Sequence, residues 1–402
     1  MLRGEVMTAD RKDSSVSGQK VEYLRDRAKE WSEILPQYSA TLESERRLPQ
    51  TLSKQFAEEG FYRLLVPESL GGFEAHPLQV IEILKILAAG DASAAWNVMI
   101  AATTGLLAAS LPEPFATQIY QRNPEVMTVG VTAPMGKAER VTGGYLVSGR
   151  WPFGSGSQNA DWICGGALVY HKDQPLLNSR GQPDVHLMMF EAEQITIEDT
   201  WYVSGLKGTG SHHFEVIEQF VPEGRLVVLG SKPLIDRPLY RFPLLGLLAL
   251  GVASVALGTG YKSVAALKAL AMNKKPTGSA RSLAERPAVQ ADLAKSEADL
   301  ASAEAYLRQS VSQAWELADA GESLTTESRA RLRLAAVNAT HGSVAAVDRM
   351  YQAGGGSAIY SHDPLQLCFR DIHVTTQHMM VAAPVYEVVG RVSLGMDPKT
   401  QL

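Results

Sequence analysis

Cysteine is nearly absent. Cys164 and Cys368 are the only two in 402 residues, and they lie far apart. They support neither a disulfide framework nor a cysteine-built zinc site, and they suit a reducing cytoplasm. Positive charge is not in excess either: 38 Lys and Arg stand against 43 Asp and Glu, a net charge of −5 with no long basic run. That argues against a nucleic-acid partner. The first nineteen residues, MLRGEVMTADRKDSSVSGQ, have no apolar run of the kind a secretory leader needs. Residues 1–18, polar and serine-rich, read as a flexible tail. No histidine has carboxylate companions at ligand spacing, and the adjacent His212 and His213 would point to opposite faces of a strand, so no metal is expected. No G-x-G-x-x-G falls between a strand and a helix, which excludes a Rossmann domain and leaves no visible NAD(P)H site.

What is present is an ordinary globular balance, 45% apolar and 20% charged. One stretch, Phe242 to Gly260, is uncharged for nineteen residues, close to a bilayer span. Its glycines and alanines suit close helix packing, so a helix buried inside a bundle or subunit interface is expected, and no membrane.

Three regions differ in pattern. Over 19–125, apolar residues recur at helical spacing, as in Val21, Leu24, Ala28, Trp31 and Leu35. Over 126–235 the pattern turns to short alternating runs separated by Gly, Pro and Asn, the signature of an antiparallel β domain, barrel-like in arrangement. Over 236–402 long helical periodicity returns as a C-terminal four-helix bundle, with Asp363-Pro364 as a helix start. The fold class is α+β, with helical, β and helical segments in that order and no βαβ alternation.

Four stretches sharpen this. Gly130-Val131-Thr132-Ala133-Pro134 precedes Gly143 to Trp151. Phe153-Gly154-Ser155-Gly156 precedes Ala160-Asp161-Trp162. Gly208-Thr209-Gly210-Ser211 precedes a strand ending Phe220-Val221-Pro222. Gln352-Ala353-Gly354-Gly355-Gly356 leads to Arg370-Asp371-Ile372-His373 and Gln377-His378. In this order, they resemble the acyl-CoA dehydrogenase superfamily over residues 20–395. The likeness is closer to its oxygen-using branch, the two-component flavin monooxygenases, which includes p-hydroxyphenylacetate hydroxylase, dibenzothiophene monooxygenase and indole oxygenases. Members of the dehydrogenase branch place a catalytic carboxylate shortly after the Arg-Asp pair. Here no Glu or Asp stands between Asp371 and Glu387, and His378 falls in that stretch. Histidine can donate and accept near neutral pH.

The resemblance implies a reduced-flavin-dependent monooxygenase, an oxidoreductase using FAD as FADH2, or FMN, supplied by a separate NAD(P)H:flavin reductase. O2 would add to give a C4a-hydroperoxyflavin, and one oxygen atom would pass to a small aromatic or heteroaromatic substrate, indole- or phenol-like. A cytoplasmic homotetramer is implied too. His378 and Ser155 are the expected catalytic residues. Thr132, Trp151, Phe153, Ser155 and Ser157 are expected at the flavin ring, although Trp151 and Phe153 could equally be β-domain core. Lys274, with Arg281 as its alternative, and Gln352, Gly355 and Gly356 are expected on the flavin of a neighbouring subunit. Trp96, Tyr240, Phe242 and His373 are expected at the substrate pocket. His373 lies about 500° of helix from His378, so the two would not share a face. Some relatives carry a histidine about eight residues after the tryptophan; Ala102-Thr103-Thr104 stands there instead, so a base for a phenol is not evident. An acyl-CoA dehydrogenase or oxidase with another base, or a non-catalytic flavin-binding protein of the same fold, are the alternatives.

Overall fold

A computed structural model describes residues 16–178, 181–276, 278–400 and 402. Most of the expected tail, residues 1–15, lies outside the described residues, and the first helix begins at Val16, inside the span read as tail.

The N-terminal helices are α1 (Val16–Ile34), α2 (Ser39–Glu45), α3 (Gln50–Glu59), α4 (Pro77–Gly90), α5 (Ala92–Thr104) and the short α6 (Glu113–Ala116). The strands are β1 (Thr128–Val141), β2 (Gly144–Gly154), β3 (Trp162–His171), β4 (Gln174–Pro175), β5 (Val185–Glu191), β6 (Thr196–Glu198), β7 (His212–Pro222) and β8 (Leu226–Val228). After the one-turn α7 (Pro238–Arg241) come α8 (Leu244–Asn273), α9 (Pro287–Asp319), α10 (Thr326–Gly354), α11 (Pro364–Thr375) and α12 (Pro384–Ser393).

The strands form one sheet in the order β6-β7-β2-β1-β3-β5-β8, with β4 on β3. It is mixed rather than wholly antiparallel, because β1 and β3 run parallel. The reason is the connection: the chain leaves β2 through the turn at 155–161 and re-enters on the far side of β1, so β3 cannot be a hairpin partner.

The uncharged run is the first half of α8, whose most apolar window is 78% buried within the protein. Its glycines set the packing distance. A Cβ on Gly258 would sit 2.3 Å from the Lys85 carbonyl of α4, and one on Gly251 would sit 2.7 Å from Met99 of α5. α5 begins with a strong cap, Asp91, whose carboxylate accepts from the Ser93 and Ala94 N–H groups at 2.9 and 3.0 Å. That cap fixes the start of α5, and with it where Trp96, in the second turn, meets the Ser155 turn.

Candidate functional site

Ser155 lies in the turn after β2. Phe153 ahead of it has a left-handed φ of 65°, and Gly156 behind it one of 75°. A Cβ on Gly156 would come within 2.8 Å of Met127 and 3.0 Å of the Asn97 side-chain oxygen, so the turn is pressed against α5. A phenylalanine held in that backbone region costs of order 1–3 kcal/mol, and such strain gathers at functional turns.

Short oxygen–oxygen contacts run inward from Ser155. Its Oγ is 2.6 Å from Ser211 Oγ, which is 2.7 Å from Thr209 Oγ1, which is 2.8 Å from the Leu206 carbonyl oxygen. Each contact needs one proton, each hydroxyl has one, and the carbonyl has none. Thr209 therefore donates to Leu206, Ser211 to Thr209, and Ser155 to Ser211. From the other side the Trp96 indole N–H donates to Ser155 Oγ at 3.1 Å. Ser155 has thus committed its proton and one lone pair. What remains for a ligand is its second lone pair, an acceptor.

The far end of this relay is anchored by the Arg-Asp pair. Asp371 is buried and accepts from the Leu206 N–H at 2.6 Å. Arg370 Nη1 donates to the Ser204 carbonyl and to Glu43, both at 2.7 Å. Gly205 permits this, since a Cβ there would lie 2.3 Å from the Arg370 carbonyl. Burial, with Asp91 nearby, pushes the Asp371 carboxyl up to about 7.

His378 closes the site from the turn between α11 and α12. Its ring meets Trp96 edge-on, with centroids 5.6 Å apart. Its Nδ1 accepts from the Met380 N–H at 3.3 Å, which leaves the proton on Nε2. Burial, and then the Arg333 guanidinium, push the imidazole down to about 4. His378 is therefore neutral at physiological pH and offers an N–H donor. No carboxylate among the described residues perturbs it, and no Glu or Asp stands between Asp371 and Glu387, so this stretch carries a histidine and no carboxylate base.

Other expected residues distribute differently. Trp151 is not at a ligand surface. It is fully buried, stacked on Phe214 with its N–H on the Gly166 carbonyl at 2.8 Å. Gly136 and Gly165 make room for its indole, each with a hypothetical Cβ under 3 Å from it. His373 also belongs elsewhere: its Nε2 is 3.0 Å from Asp348 and its ring rests on Phe369. His373 lies on α11 and meets α10 through Asp348, whereas His378 lies in the turn beyond the helix end. Phe153 by contrast is 65% exposed, two residues before Ser155, with its ring edge-on to Trp201 and His213. Thr132 sits half-buried at the irregularity in β1 between Val131 and Pro134. Tyr240 and Phe242 line a cavity of about 700 Å³ with Leu106, Leu107 and Leu247. Lys274 is brought to the glycine run, its Nζ donating to the Gly354 carbonyl at 2.6 Å beside Gly355. Gln352, Gly355 and Gly356 are exposed there. Among the described residues no hydrogen bond or ring contact joins this second group to Ser155 or His378 within the chain.

Thr209 and Ser211 stand in a glycine-rich stretch of the sequence that by itself assigns them no role, and nothing in the sequence marks Asn97, Arg333 or the anchoring by Asp371. The signal for the relay was available as three hydroxyl residues in two glycine-rich turns. Their meeting is a tertiary fact that spacing does not encode. Ser157 Oγ, Gln158 Oε1 and Asn97 Oδ1 are buried in or beside the Ser155 turn without hydrogen-bond partners among the described residues. Such atoms are rare in folded proteins, and a grouped set suits a ligand edged with polar atoms.

A family profile described as the N-terminal domain of acyl-CoA dehydrogenase matches residues 19–116, and one described as its C-terminal domain matches residues 250–383. The chain belongs to the acyl-CoA dehydrogenase family. Its similarities fall among that family's flavin-dependent monooxygenases, which are oxidoreductases. An indole-3-acetate monooxygenase of Pseudomonas putida is 32% identical over 354 residues, 88% of this chain and 89% of that protein. The structure of 3-HSA hydroxylase from Rhodococcus sp. RHA1 superposes with a TM-score of 0.85 at 26% identity, covering 96% of this chain and 100% of the other. XiaF from Streptomyces sp., solved in complex with FADH2 and glycerol, gives 0.87 at 25% identity over 96% and 98%.

Proposed function

We propose that this protein is the oxygenase component of a two-component system. It takes reduced flavin, FADH2 or the FMN equivalent, from a separate NAD(P)H:flavin reductase. It then transfers one atom of O2 to a small aromatic or heteroaromatic substrate, indole- or phenol-like. The observation that carries this reading is the direction of the Ser155 relay. Reduced flavin bears a proton on N5; oxidised flavin bears a lone pair there. A serine that can only accept meets the first with a hydrogen bond and the second with repulsion. The unpartnered Ser157, Gln158 and Asn97 oxygens likewise suit the polar edge of a flavin ring.

On this reading Thr132, Phe153, Ser155 and Ser157 hold the ring. Lys274, Gln352, Gly355 and Gly356 meet the cofactor of a neighbouring copy in a homotetramer. Bound reduced flavin supplies the electrons and the atom at which O2 is activated. Trp96 fixes Ser155 and walls the pocket. His378 holds a proton on Nε2, ready for the oxygen side of the reaction, and Tyr240 and Phe242 bound the approach of the substrate. Two free, buried cysteines are compatible with a cytoplasmic setting.

Equilibrium binding of FAD in both redox states tests the proposal. Wild type should bind the reduced form at least tenfold more tightly. Ser211→Ala removes the acceptor of the Ser155 proton, which frees that proton to turn towards the ligand, and it should shrink the preference by roughly tenfold, the worth of one hydrogen bond of about 1–1.5 kcal/mol. Tighter binding of oxidised FAD, with reduction by an acyl-CoA, would sink the oxygenase reading.

A further inference from the structure

Arg333, in the second turn of α10, is 6% exposed and has no ionic partner among the described residues. Its Nη2 donates to the Met380 carbonyl at 3.2 Å, and its Nε is buried with no hydrogen-bond partner. Two other buried arginines in this fold have more hydrogen-bond partners than Arg333, although each also keeps one nitrogen without a partner among the described residues. Arg63 donates to the Leu70, Gly71 and Tyr120 carbonyls. Arg225 pairs with Glu191 and Gln194. Arg333 alone of the three carries a full charge against one neutral carbonyl. A buried charge without a counter-ion is costly to keep, and folded proteins rarely retain one unless something pairs with it.

Its neighbours indicate what that partner is. Arg333 acts on the His378 ring, and the Met380 that receives its N–H also caps His378 Nδ1. It therefore sits behind the donor that faces the reaction. One helical turn earlier, Arg329 lines the 700 Å³ cavity that Tyr240 and Phe242 also line. The groups around the reacting centre are neutral: His378, Trp96 and the three hydroxyls. Arg333 is a buried charge held against the turn that carries His378, and a planar guanidinium with an unpartnered N–H is built to take a carboxylate in two parallel hydrogen bonds.

We propose that Arg333 binds a carboxylate carried by the substrate, so that the protein oxidises an aromatic acid rather than a neutral aromatic. This deepens the oxygenase reading and rests on it for the identity of the pocket. The carboxylate anchors one end of the molecule while the apolar walls hold the ring. A neutral ring of the same shape leaves the guanidinium unpaired and binds more weakly.

Calorimetric titration of the full-length protein with indole-3-acetate and with indole, both without flavin, provides the test. Wild type should bind the acid at least tenfold more tightly than indole. Arg333→Gln should weaken the acid by tenfold or more and leave indole within twofold. Arg333→Lys, which keeps the charge and loses the fork, should fall between, and it carries the comparison if the Gln variant does not fold. Equal affinities in wild type overturn the proposal. So does an equal loss of both ligands in either variant, which would make Arg333 only a tie to the Met380 turn. So does a change of oligomeric state with both ligands lost, which would place the counter-ion on another copy. Parallel assays of FADH2-dependent O2 consumption with indole keep the two readings apart: a protein that oxygenates indole and ignores the acid retains the flavin function and loses this one.

Discussion

His378 is a donor because two neighbours make it one. The Met380 N–H occupies Nδ1, and burial beside Arg333 keeps the ring neutral. Its folded pKa lies below the ordinary histidine value, so the unfolded chain takes up the proton first. Stability present above about pH 6.5 is lost as pH falls towards 4, by roughly 2–4 kcal/mol from this residue. Urea unfolding of wild type and His378→Ala at pH 7.5 and 5 should show the smaller pH dependence in the variant; identical slopes would mean that the imidazole titrates normally. In the reaction, the variant should still bind reduced flavin and consume O2. Hydrogen peroxide should rise, and oxygenated product should fall by roughly a hundredfold. The sequence pointed to His378 through a departure from a family motif. It pointed to His373 through proximity in the chain, and the helix turned that residue to Asp348 instead. Trp151 shows the same limit: aromatic residues on a strand alternate between faces, and only the glycines opposite decide which face is core.

At the scale of elements, α11 does two jobs. It presents Asp371 to the loop that carries Thr209 and Ser211, and it leads directly into the turn that carries His378. The Arg-Asp pair was legible as a motif, but its use as a clamp on residues 204–206 depends on Gly205, whose fit against the Arg370 carbonyl is visible only in three dimensions. The clamp has a cost. The Asp371 carboxyl titrates at about 7 in the fold, above its ordinary value, so the native state holds a proton that the unfolded chain releases. Stability from this group falls as pH rises from about 4 through 7. Asp371→Asn keeps an acceptor for the Leu206 N–H and removes the charge. Its melting temperature should rise relative to wild type at pH 8, with a gain larger than that at pH 5 by about 2 kcal/mol. A pH-independent change would show that the carboxyl is not the titrating group. The element pattern itself was readable from hydropathy. The parallel β1–β3 pair was not, because strand direction follows from a connection rather than from alternation.

For the whole molecule, the two groups of expected cofactor residues occupy separate places in one chain. Ser155 and His378 stand at the junction of the sheet with α5 and α11, whereas Lys274 and Gly354–Gly356 meet where α8 and α10 end. If each cofactor is shared between copies, Ser155→Ala and Lys274→Ala should complement one another. Co-expressed, they should assemble mixed oligomers in which about a quarter of the sites combine both intact faces, restoring activity that neither variant has alone. Absence of complementation in verified mixed oligomers would confine the site to one chain. The architecture of helices, sheet and helices was legible from the sequence, since each region has its own hydrophobic period. The proposed sharing of the cofactor between copies rests, in the sequence, on glycines and a lysine alone.

The relay from Ser155 to the Leu206 carbonyl has a consequence for traffic. A site that admits a cofactor in one oxidation state and repels it in the other needs no gate to expel it. On the proposed reading, turnover itself would change the cargo from welcome to unwelcome, and the spent molecule would depart to be recharged elsewhere. The division of labour between two proteins, one that reduces and one that oxygenates, would then rest on which way three hydroxyl protons point.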